Sequence, residues 1–167
     1  MTVYLNDPPL SRFPADLAAA WKDVPVAIAV DVSDGACQID PGITPLRPPG
    51  EQPRLFGRAV TALCRPPDFG AVLHAINLIQ PGDVLVIAAQ GHTEHAMIGE
   101  ILGGQLRRMR AVGLVCDGAI RDVATLSRWP DFSCFARAVT ARGPTAWDQG
   151  EVNSPVIIGG RIVSPGD

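Results

Sequence analysis

The sequence predicts a single α/β domain, and three observations support this fold class. Short apolar runs of the kind found in buried strands alternate with segments whose apolar residues recur at helical spacing. Turns rich in proline and glycine separate these segments. The 167 residues are 47% apolar and 19% charged, which suits one soluble core. The strand–helix alternation also indicates that some strands pair in parallel.

The first 25 residues are expected to form an N-terminal arm and a short helix, and residues 26–167 are expected to form the α/β domain. The Ala-rich residues 17–22 predict the helix. Periodicity does not assign the apolar run 26–30 to a strand or a helix, since five residues are too few. The prolines of residues 40–53 predict a rigid loop, because each proline fixes φ and removes an N–H donor.

The remaining elements follow in alternation. Strands are predicted over residues 58–64, 84–87, 113–116, 133–139, 155–158 and 161–163. Helices are predicted over residues 69–79, 97–109 and 122–129. The tripeptide Pro81-Gly82-Asp83 introduces one of the strands and recurs as Pro165-Gly166-Asp167, where no strand follows. A closing C-terminal strand is therefore expected to be missing.

Composition excludes several classes of function. The net charge of −3 is spread along the chain, and no cluster of Lys and Arg with aromatic residues predicts nucleic-acid binding. No apolar run approaches the ~20 residues that a membrane-spanning helix needs. The four cysteines have no Cys-x-x-Cys spacing, and no secretory signal is visible. These features predict a reduced protein of the cytoplasm.

Several motifs are weighed and set aside. The segment His92-Thr93-Glu94-His95 lacks the spacing of a zinc site and is expected to be a solvated helix start. His74 is expected to form a local hydrogen bond. No P-loop, no Gly-x-Gly-x-x-Gly after a strand and no Gly-x-Ser-x-Gly motif is present, so nucleotide cofactors and a serine nucleophile have no support.

Arg121 and Asp122 are the strongest candidates for a functional site. They follow a predicted buried strand, and ligands of α/β proteins bind at the carboxyl ends of strands. The simplest interpretation is that Asp122 is only a helix N-cap. The other interpretation is chemical: an arginine fork suits a carboxylate, and one carboxylate with waters commonly holds Mg²⁺. Such a pair would suit a 2-oxo acid.

Gly99 has two possible roles. If the second helix begins here, its free N–H groups form an anion site. If the helix begins near Thr93, this interpretation weakens. A glycine at this place can also serve helix packing alone.

Glu100, twenty intervening residues and Arg121-Asp122 resemble the Asp-x20-Arg-Asp signature of class II pyruvate aldolases of the 4-hydroxy-4-methyl-2-oxoglutarate aldolase family. These enzymes share their fold with the RraA-like regulators of ribonuclease E. The resemblance covers roughly residues 26–167. It also includes the segments Asp40-Pro41-Gly42-Ile43, Gln80-Pro81-Gly82-Asp83-Val84-Leu85-Val86, Gly99-Glu100-Ile101-Leu102 and Asp117-Gly118-Ala119-Ile120-Arg121-Asp122-Val123.

The resemblance implies a fold, an assembly and a role for each residue. The fold would be a swivelling β/β/α sandwich, like a phosphohistidine domain, in a homotrimer or hexamer with sites between subunits. Asp122 would ligate Mg²⁺ or Mn²⁺, and Arg121 would bind the substrate carboxylate and steady the enolate. Gly99, Glu100, Ile101 and Leu102 would line the substrate site, with Glu100 touching a metal-bound water.

The implied function is a divalent-metal-dependent lyase that acts on 2-oxo acids through a pyruvate enolate. It would be a 4-hydroxy-4-methyl-2-oxoglutarate aldolase, an oxaloacetate decarboxylase, or both. Glu100 stands where the stricter motif has aspartate, and the C-terminal segment that supplies a neighbouring-subunit carboxylate in longer members is expected to be missing. The alternative is a non-catalytic regulator that binds ribonuclease E. A methyltransferase, another activity attached to this family, lacks support because no glycine-rich nucleoside loop follows a strand.

Overall fold

A computed structural model describes residues 2–7, 14–48 and 50–167. The parts of the expected N-terminal arm at residues 1 and 8–13, and Pro49 in the expected rigid loop, lie outside the described residues. The strands are β1 (Tyr4–Leu5), β2 (Thr44–Pro45), β3 (Arg58–Leu63), β4 (Asp83–Ile98), β5 (Gly113–Ile120), β6 (Ser133–Val139), β7 (Glu151–Val152), β8 (Val156–Ile158) and β9 (Arg161–Val163). The helices are α1 (Ala15–Lys22), α2 (Val26–Val32), α3 (Gly70–Ile76), α4 (Glu100–Arg108) and α5 (Val123–Leu126).

Seven strands form one sheet in the order β1-β7-β3-β4-β5-β6-β2. The four central strands β3, β4, β5 and β6 pair in parallel, as the strand–helix alternation predicts. Short antiparallel pairings add β7 beside β3 and β2 beside β6. Strands β8 and β9 form a separate antiparallel hairpin.

Apolar side chains cover both faces of the central sheet. One core contains residues of the helices, among them Ile76 of α3 and Leu106 of α4. The other core joins sheet residues to the β8–β9 hairpin through Val156 and Ile158. Helices on one face and a hairpin on the other give the β/β/α layering, and the predicted α/β class is confirmed.

The N-terminal helices lie outside these cores. Helix α1 begins two residues before the predicted segment and has no buried residue. The apolar run that periodicity left unassigned is helical, as the first five residues of α2, and it also has no buried residue.

Strand β4 is much longer than predicted, and the segment His92-Thr93-Glu94-His95 lies within it and is not a helix start. Its pairing with β5 is irregular after Ala88, where Gln90 and Gly91 adopt positive φ angles of 55° and 74°. His92 Nε2 accepts the backbone N–H of His95 at 3.1 Å and lies 3.0 Å from His95 Nδ1. The side chain of His92 thus supports a bulged strand.

Strand β5 also continues past its predicted end at Cys116 to Ile120. The prediction was wrong because Asp117 and Gly118 were interpreted as a turn. Asp117 is buried, and its carboxylate accepts hydrogen bonds from Arg137 Nε at 2.6 Å and from the Gly159 N–H at 2.8 Å. These partners compensate the burial of a charged residue within the strand.

Two further predictions have a clear outcome. The ring of His74 contacts Asp148 at 2.6 Å. These residues are far apart in the sequence, so the prediction of a local hydrogen bond for His74 was wrong. Within the described part of the chain, no helix has the length and apolar character required to cross a bilayer. The location in the cytoplasm stays a prediction.

Candidate active site

The pairing of β4 with β5 places Gly99 beside Arg121. Ile98 and Ile120, the last residues of the two strands, are partners in the parallel register. The Arg121 N–H donates to the Ile98 carbonyl oxygen at 3.0 Å. Residues separated by more than twenty positions therefore meet at the carboxyl edge of the sheet, where α/β proteins bind ligands.

Asp122 stands at the N-cap position of α5, but its side chain caps a different helix. It has a left-handed backbone with φ of 57°, and its carboxylate makes no capping bond to α5. Instead, Asp122 Oδ2 accepts the N–H of Glu100, the first residue of α4, at 3.0 Å. The positive end of the α4 dipole favours a carboxylate at this place. The sequence suggested that Asp122 caps the helix that follows it, α5. In the structure, its carboxylate caps α4 instead.

Arg121 points towards the same place as Asp122. Arg121 Nε lies 3.6 Å from Asp122 Oδ2, and the two side chains remain 39% and 36% exposed. The arginine lies between two glycines: a Cβ on Gly99 would lie 2.8 Å from Arg121 Cγ, and one on Gly143 would lie 2.9 Å from Arg121 Nη1. Both charged groups are therefore accessible to a small ligand and held by close backbone contacts.

A cleft of about 310 Å³ opens beside this pair. Of the residues predicted to form the site, Gly99, Ile101, Leu102, Arg121 and Asp122 line it. Most of the remaining wall is apolar, and with Ile101 and Leu102 it includes Phe69, Leu73, Met97 and Ile98. The volume is at the small end of ligand pockets, which suits a metabolite of a few carbon atoms.

Helix α4 begins at Glu100, so Gly99 is its N-cap residue and the start near Thr93 is excluded. Among the described residues, the N–H groups of Ile101 and Leu102 have no acceptor, as is usual in the first turn of a helix. Gly99 also has a steric role, since a Cβ there would lie 2.3 Å from Asp122 Oδ2. The glycine thus leaves the start of α4 open and makes room for the carboxylate.

Glu100 does not line the cleft, although the sequence predicted it as a site residue. Its backbone N–H is taken by Asp122, and its exposed carboxylate has no hydrogen-bond partner in the described part of the chain. Its negative charge lies in the first turn of α4, where the positive end of the helix dipole stabilises it. The contact expected between Glu100 and a metal-bound water stays a prediction.

The donors at the site fit a hard divalent cation held mainly by water and substrate. Within the described ranges, no three His, Cys, Asp or Glu side chains cluster as a full metal cage. Asp122 Oδ1 accepts no hydrogen bond from these residues and borders an accessible cleft. Mg²⁺ commonly binds one or two carboxylates and keeps several waters, so a single aspartate suits it better than zinc.

The loop that follows β6 forms part of the cleft, and the sequence did not indicate the residues of this loop or the residue that binds it. Gly143 and Pro144 line the cleft after β6, and their position past a parallel strand was the available signal. The buried Asp68 accepts backbone N–H bonds from Trp147 and from Gln149, the latter at 3.0 Å. No sequence pattern indicated this long-range contact.

A larger cavity of about 760 Å³ lies at the opposite edge of the sheet, between α1 and the turn before β4. Its charged residues are Arg58, Asp83 and Asp167, and the first two are already paired through two bonds of 2.9 and 3.0 Å. The cleft beside Arg121 is the better candidate, because its guanidinium has only a loose contact of 3.6 Å.

Comparisons with known proteins identify related sequences and folds. Residues 22–167 match the model of the RraA-like family, described as Aldolase/RraA. A protein of Halalkalibacterium halodurans, named as a candidate 4-hydroxy-4-methyl-2-oxoglutarate aldolase, is 32% identical over 95% of this chain and 73% of its own length. This identity and coverage indicate common descent over nearly the whole chain.

Two solved structures resemble the fold. An RNA-processing inhibitor RraA from Thermus thermophilis has a TM-score of 0.75 at 24% identity, covering 86% of this chain and 85% of its own. RraAS2 of Streptomyces coelicolor, an unusual member of the RNase ES inhibitor RraA family, has a TM-score of 0.77 at 24% identity, with coverage of 93% and 81%. At these identities the likeness concerns the fold alone.

Proposed function

The chain belongs to the RraA-like (Aldolase/RraA) family, and from that premise we propose that it is a divalent-metal-dependent lyase acting on 2-oxo acids through a pyruvate enolate. The observation that carries this proposal is the convergence of Arg121 and Asp122 on one open cleft at the N-terminus of α4. Its activity would be cleavage of 4-hydroxy-4-methyl-2-oxoglutarate, decarboxylation of oxaloacetate, or both.

Binding of the substrate carboxylate is the role proposed for Arg121 and α4. A guanidinium presents a planar fork of donors that matches a carboxylate. The free N–H groups of Ile101 and Leu102 add donors and the positive end of the helix dipole. Together they fix one end of the substrate, and the C3–C4 bond then lies further along the cleft.

Asp122 is the residue proposed to hold Mg²⁺ or Mn²⁺, with water and substrate oxygens completing the shell. When bound, such an ion supplies Lewis-acid stabilisation of the charge that develops on the keto oxygen. Arg121 adds a second positive charge at the same end of the substrate. Gly99 keeps this region clear, because any side chain there would displace the Asp122 carboxylate.

The same bond breaks in both substrates. The C3–C4 bond breaks, and its electron pair remains on the pyruvate fragment as the enolate, which then takes a proton at C3 to give pyruvate. In the aldol cleavage, the 4-hydroxyl loses its proton to water and C4 becomes a carbonyl. In oxaloacetate, C4 leaves as carbon dioxide and no hydroxyl proton is removed. Arg121 would stabilise the enolate in both reactions.

The test is release of pyruvate from 4-hydroxy-4-methyl-2-oxoglutarate and from oxaloacetate, with Mg²⁺, with Mn²⁺ and after EDTA, against reactions without protein. We expect metal-dependent release that EDTA abolishes. Hydrogen bonds to charged groups contribute about 1.5–3 kcal/mol, so Arg121→Lys is expected to lower kcat/KM by roughly 10- to 100-fold. Pyruvate release at the rate of the protein-free reaction would refute the proposal.

A non-catalytic role as a regulator that binds ribonuclease E is the alternative, since inhibitors of RNA processing share the fold. The accessible Arg121–Asp122 pair favours the enzyme, because a protein-binding role does not require an acid and a guanidinium to converge in a small cleft. A protein without lyase activity that inhibits ribonuclease E would support the alternative.

A homotrimer or hexamer is the proposed assembly. The apolar side chains of Val26, Ile28 and Val32 on α2 are exposed in the single chain, which suits contact with another copy. Light scattering is expected to give about three or six times the chain mass of 17.6 kDa. A mass equal to one chain at micromolar concentration would contradict this assembly.

A further inference from the structure

The direction of the Arg121 guanidinium depends on the backbones that lie beside it. Its contact with Asp122, 3.6 Å from Nε to Oδ2, is longer than a hydrogen bond. Two glycines leave it little room: a Cβ on Gly99 would lie 3.2 Å from Arg121 Nε, and one on Gly143 would lie 2.9 Å from Nη1. A shift of either backbone would therefore let the guanidinium turn.

Gly143 lies in the loop that joins β6 to β7, and backbone bonds attach this loop on both sides of the glycine. Before it, the Arg142 carbonyl oxygen accepts the Ala96 N–H of β4 at 2.9 Å. After it, Thr145 and the segment 67–69 exchange two bonds, of 2.8 and 3.0 Å. The second attachment joins the loop to the residues that precede α3, so the position of Gly143 depends on that segment.

Asp68, in the middle of that segment, is fully buried. Its carboxylate accepts three backbone N–H groups. Asp68 Oδ1 accepts those of Gly70 at 2.8 Å and Gln149 at 3.0 Å, and Oδ2 accepts that of Trp147. Gly70 is the first residue of α3, whereas Trp147 and Gln149 lie in the loop. One buried carboxylate thus fixes the loop to the start of α3.

From these contacts we infer that Asp68 is a positioning residue of the site. By fixing the loop, it holds Gly143 against Arg121, and the guanidinium then faces the substrate carboxylate. Asp68 does not line the cleft, so it acts on the substrate only through the loop and Arg121. The inference rests on the proposed function, in which Arg121 binds the substrate carboxylate.

Asp68→Asn is the first test, because it keeps the size of the side chain and replaces one acceptor oxygen with an NH₂ donor. At least one of the three N–H groups then loses its acceptor, and the loop is released on that side. A displacement of about 1 Å at an active site can cost roughly 100-fold in rate, so kcat/KM for oxaloacetate is expected to fall by roughly 10- to 100-fold.

The separate values of KM and kcat distinguish positioning from folding. A displaced guanidinium binds the substrate carboxylate less well, so KM is expected to rise in Asp68→Asn. A loss of folded protein lowers the apparent kcat and leaves KM unchanged, and that result would overturn the inference. An Asp68→Asn protein that does not fold would show that the carboxylate serves the fold itself, which also overturns it.

A double-mutant cycle shows whether Asp68 acts through Arg121. In Arg121→Lys the charge lies on a flexible chain and presents no planar fork that Gly143 could orient. Adding Asp68→Asn to this variant is therefore expected to lower kcat/KM by less than about threefold. Equal losses from Asp68→Asn in both backgrounds would show that Asp68 acts independently of Arg121, and the inference would fail.

Gly143→Ala tests the last link without changing Asp68. Its Cβ would lie 2.9 Å from Arg121 Nη1, so the guanidinium must move and the same rise in KM is expected. Asp131→Asn is the control, since the exposed Asp131 binds Arg107 at 2.6 Å and does not line the cleft. The control is expected to leave KM and kcat unchanged. An unchanged KM in Gly143→Ala overturns the inference.

Binding of pyruvate, measured by calorimetry with Mg²⁺, separates this inference from the proposed function because it requires no turnover. Turnover whose KM is unchanged in Asp68→Asn leaves the lyase in place and overturns the inference. If the unmodified protein binds pyruvate without turnover, the lyase alone is refuted, and a higher Kd in Asp68→Asn than in Asp131→Asn supports the positioning role. Neither turnover nor binding overturns both.

Discussion

Asp122 links two parts of the candidate site with one carboxylate. It accepts the Glu100 N–H at 3.0 Å, which caps α4, and it lies 3.6 Å from Arg121 Nε. Its left-handed backbone directs the side chain away from the helix that it begins. Asparagine and aspartate tolerate this conformation better than most residues. The same residue therefore affects both stability and chemistry.

Two substitutions at Asp122 are expected to separate these effects. Asp122→Asn keeps a capping oxygen and tolerates the left-handed backbone, so it is expected to abolish metal-dependent turnover with little change in Tm. Asp122→Ala loses the cap and strains the backbone, so it is expected to cost about 1–2 kcal/mol of unfolding free energy as well. Turnover and chemical denaturation measure the two quantities. Full activity in Asp122→Asn would show that the charge is not needed.

The space at Gly99 leads to a second prediction. In Gly99→Ala the new Cβ would lie 2.3 Å from Asp122 Oδ2, so the carboxylate must move. A displacement of about 1 Å at an active site can cost roughly 100-fold in rate, and we expect kcat/KM to fall by that order.

Gly104→Ala in the same helix is the control for Gly99→Ala. Its Cβ would meet only Trp129 at 3.8 Å, an ordinary contact. Alanine in a helix interior is favoured over glycine by about 0.5–1 kcal/mol, so this variant is expected to raise the Tm and keep activity. An active Gly99→Ala protein would contradict the steric role assigned to this glycine.

The short spacing motifs at the site were predictable from the sequence, and the long-range contacts were not. Arg121 and Asp122 carry chemistry in their residue types, and they do lie together at the edge of the sheet. Gly143 and Asp68 were missed because their roles depend on the path of a loop that returns to the cleft. Side-chain direction also escaped prediction: Glu100 belongs to the motif, yet its carboxylate does not line the cleft.

At the scale of elements, strand ends were the least predictable feature. The predicted strands end at Ile87 and at Cys116, the second because Asp117-Gly118 is a turn-forming pair. In the structure, positive φ angles at Gln90 and Gly91 allow β4 to bulge and continue. Arg137 and Gly159 provide partners for Asp117 within β5. In β5, these tertiary contacts overcame the local preference for a turn.

Arg137 joins two acidic residues that are distant in sequence. It donates from Nε to Asp117 at 2.6 Å and from Nη1 to Asp40 at 2.8 Å. The Gly42 N–H and the Arg137 guanidinium, in that order, lower the pKa of Asp40 below its usual value. The ionised form of Asp40 therefore helps to fix the loop before β2 to the sheet.

A pH dependence follows from the lowered pKa of Asp40. A carboxyl whose pKa is lower in the folded state stabilises the fold above its unfolded pKa of about 3.9 and loses this effect as the pH falls through the folded value. Asp40→Asn is thus expected to be less stable than the unmodified protein at pH 7, and the difference should shrink at pH 3. Denaturation across this range measures it. A difference that stays constant from pH 7 to pH 3 would contradict the assignment.

At the scale of the whole molecule, the fold class was predictable because it sums over many residues. Recognising apolar strands and amphipathic helices in alternation requires only the average pattern of each segment. Errors at strand ends therefore did not alter the predicted fold class. The apolar run of α2 shows the limit of this approach: it resembles a core strand in composition, yet it forms an exposed helix. Burial depends on what surrounds a segment, which composition does not specify.

The two-sided core predicts how the thiols react. Burial raises the pKa of Cys64 and of Cys134 to about 12, and it also raises that of Cys116. Cys37 is exposed. In the native protein at pH 8 we expect one thiol to react rapidly with Ellman's reagent, and four after denaturation. Cys37→Ser is expected to abolish the rapid reaction. Rapid reaction of a second thiol would show that the core opens.

The bulged pairing of β4 with β5 has a consequence for how this protein can vary. Between its contacts at Ala88 and Ile98, β4 uses ten residues, whereas β5 advances only three, from Asp117 to Ile120. The surplus length is taken up by three register shifts, between Ala88 and His92, between His92 and Ala96, and between Ala96 and Ile98, and the ladder fixes the ends of each shift. Insertions or deletions there are expected to leave the spacing of Gly99 and Arg121 intact, which makes this stretch a suitable place to graft a new sequence.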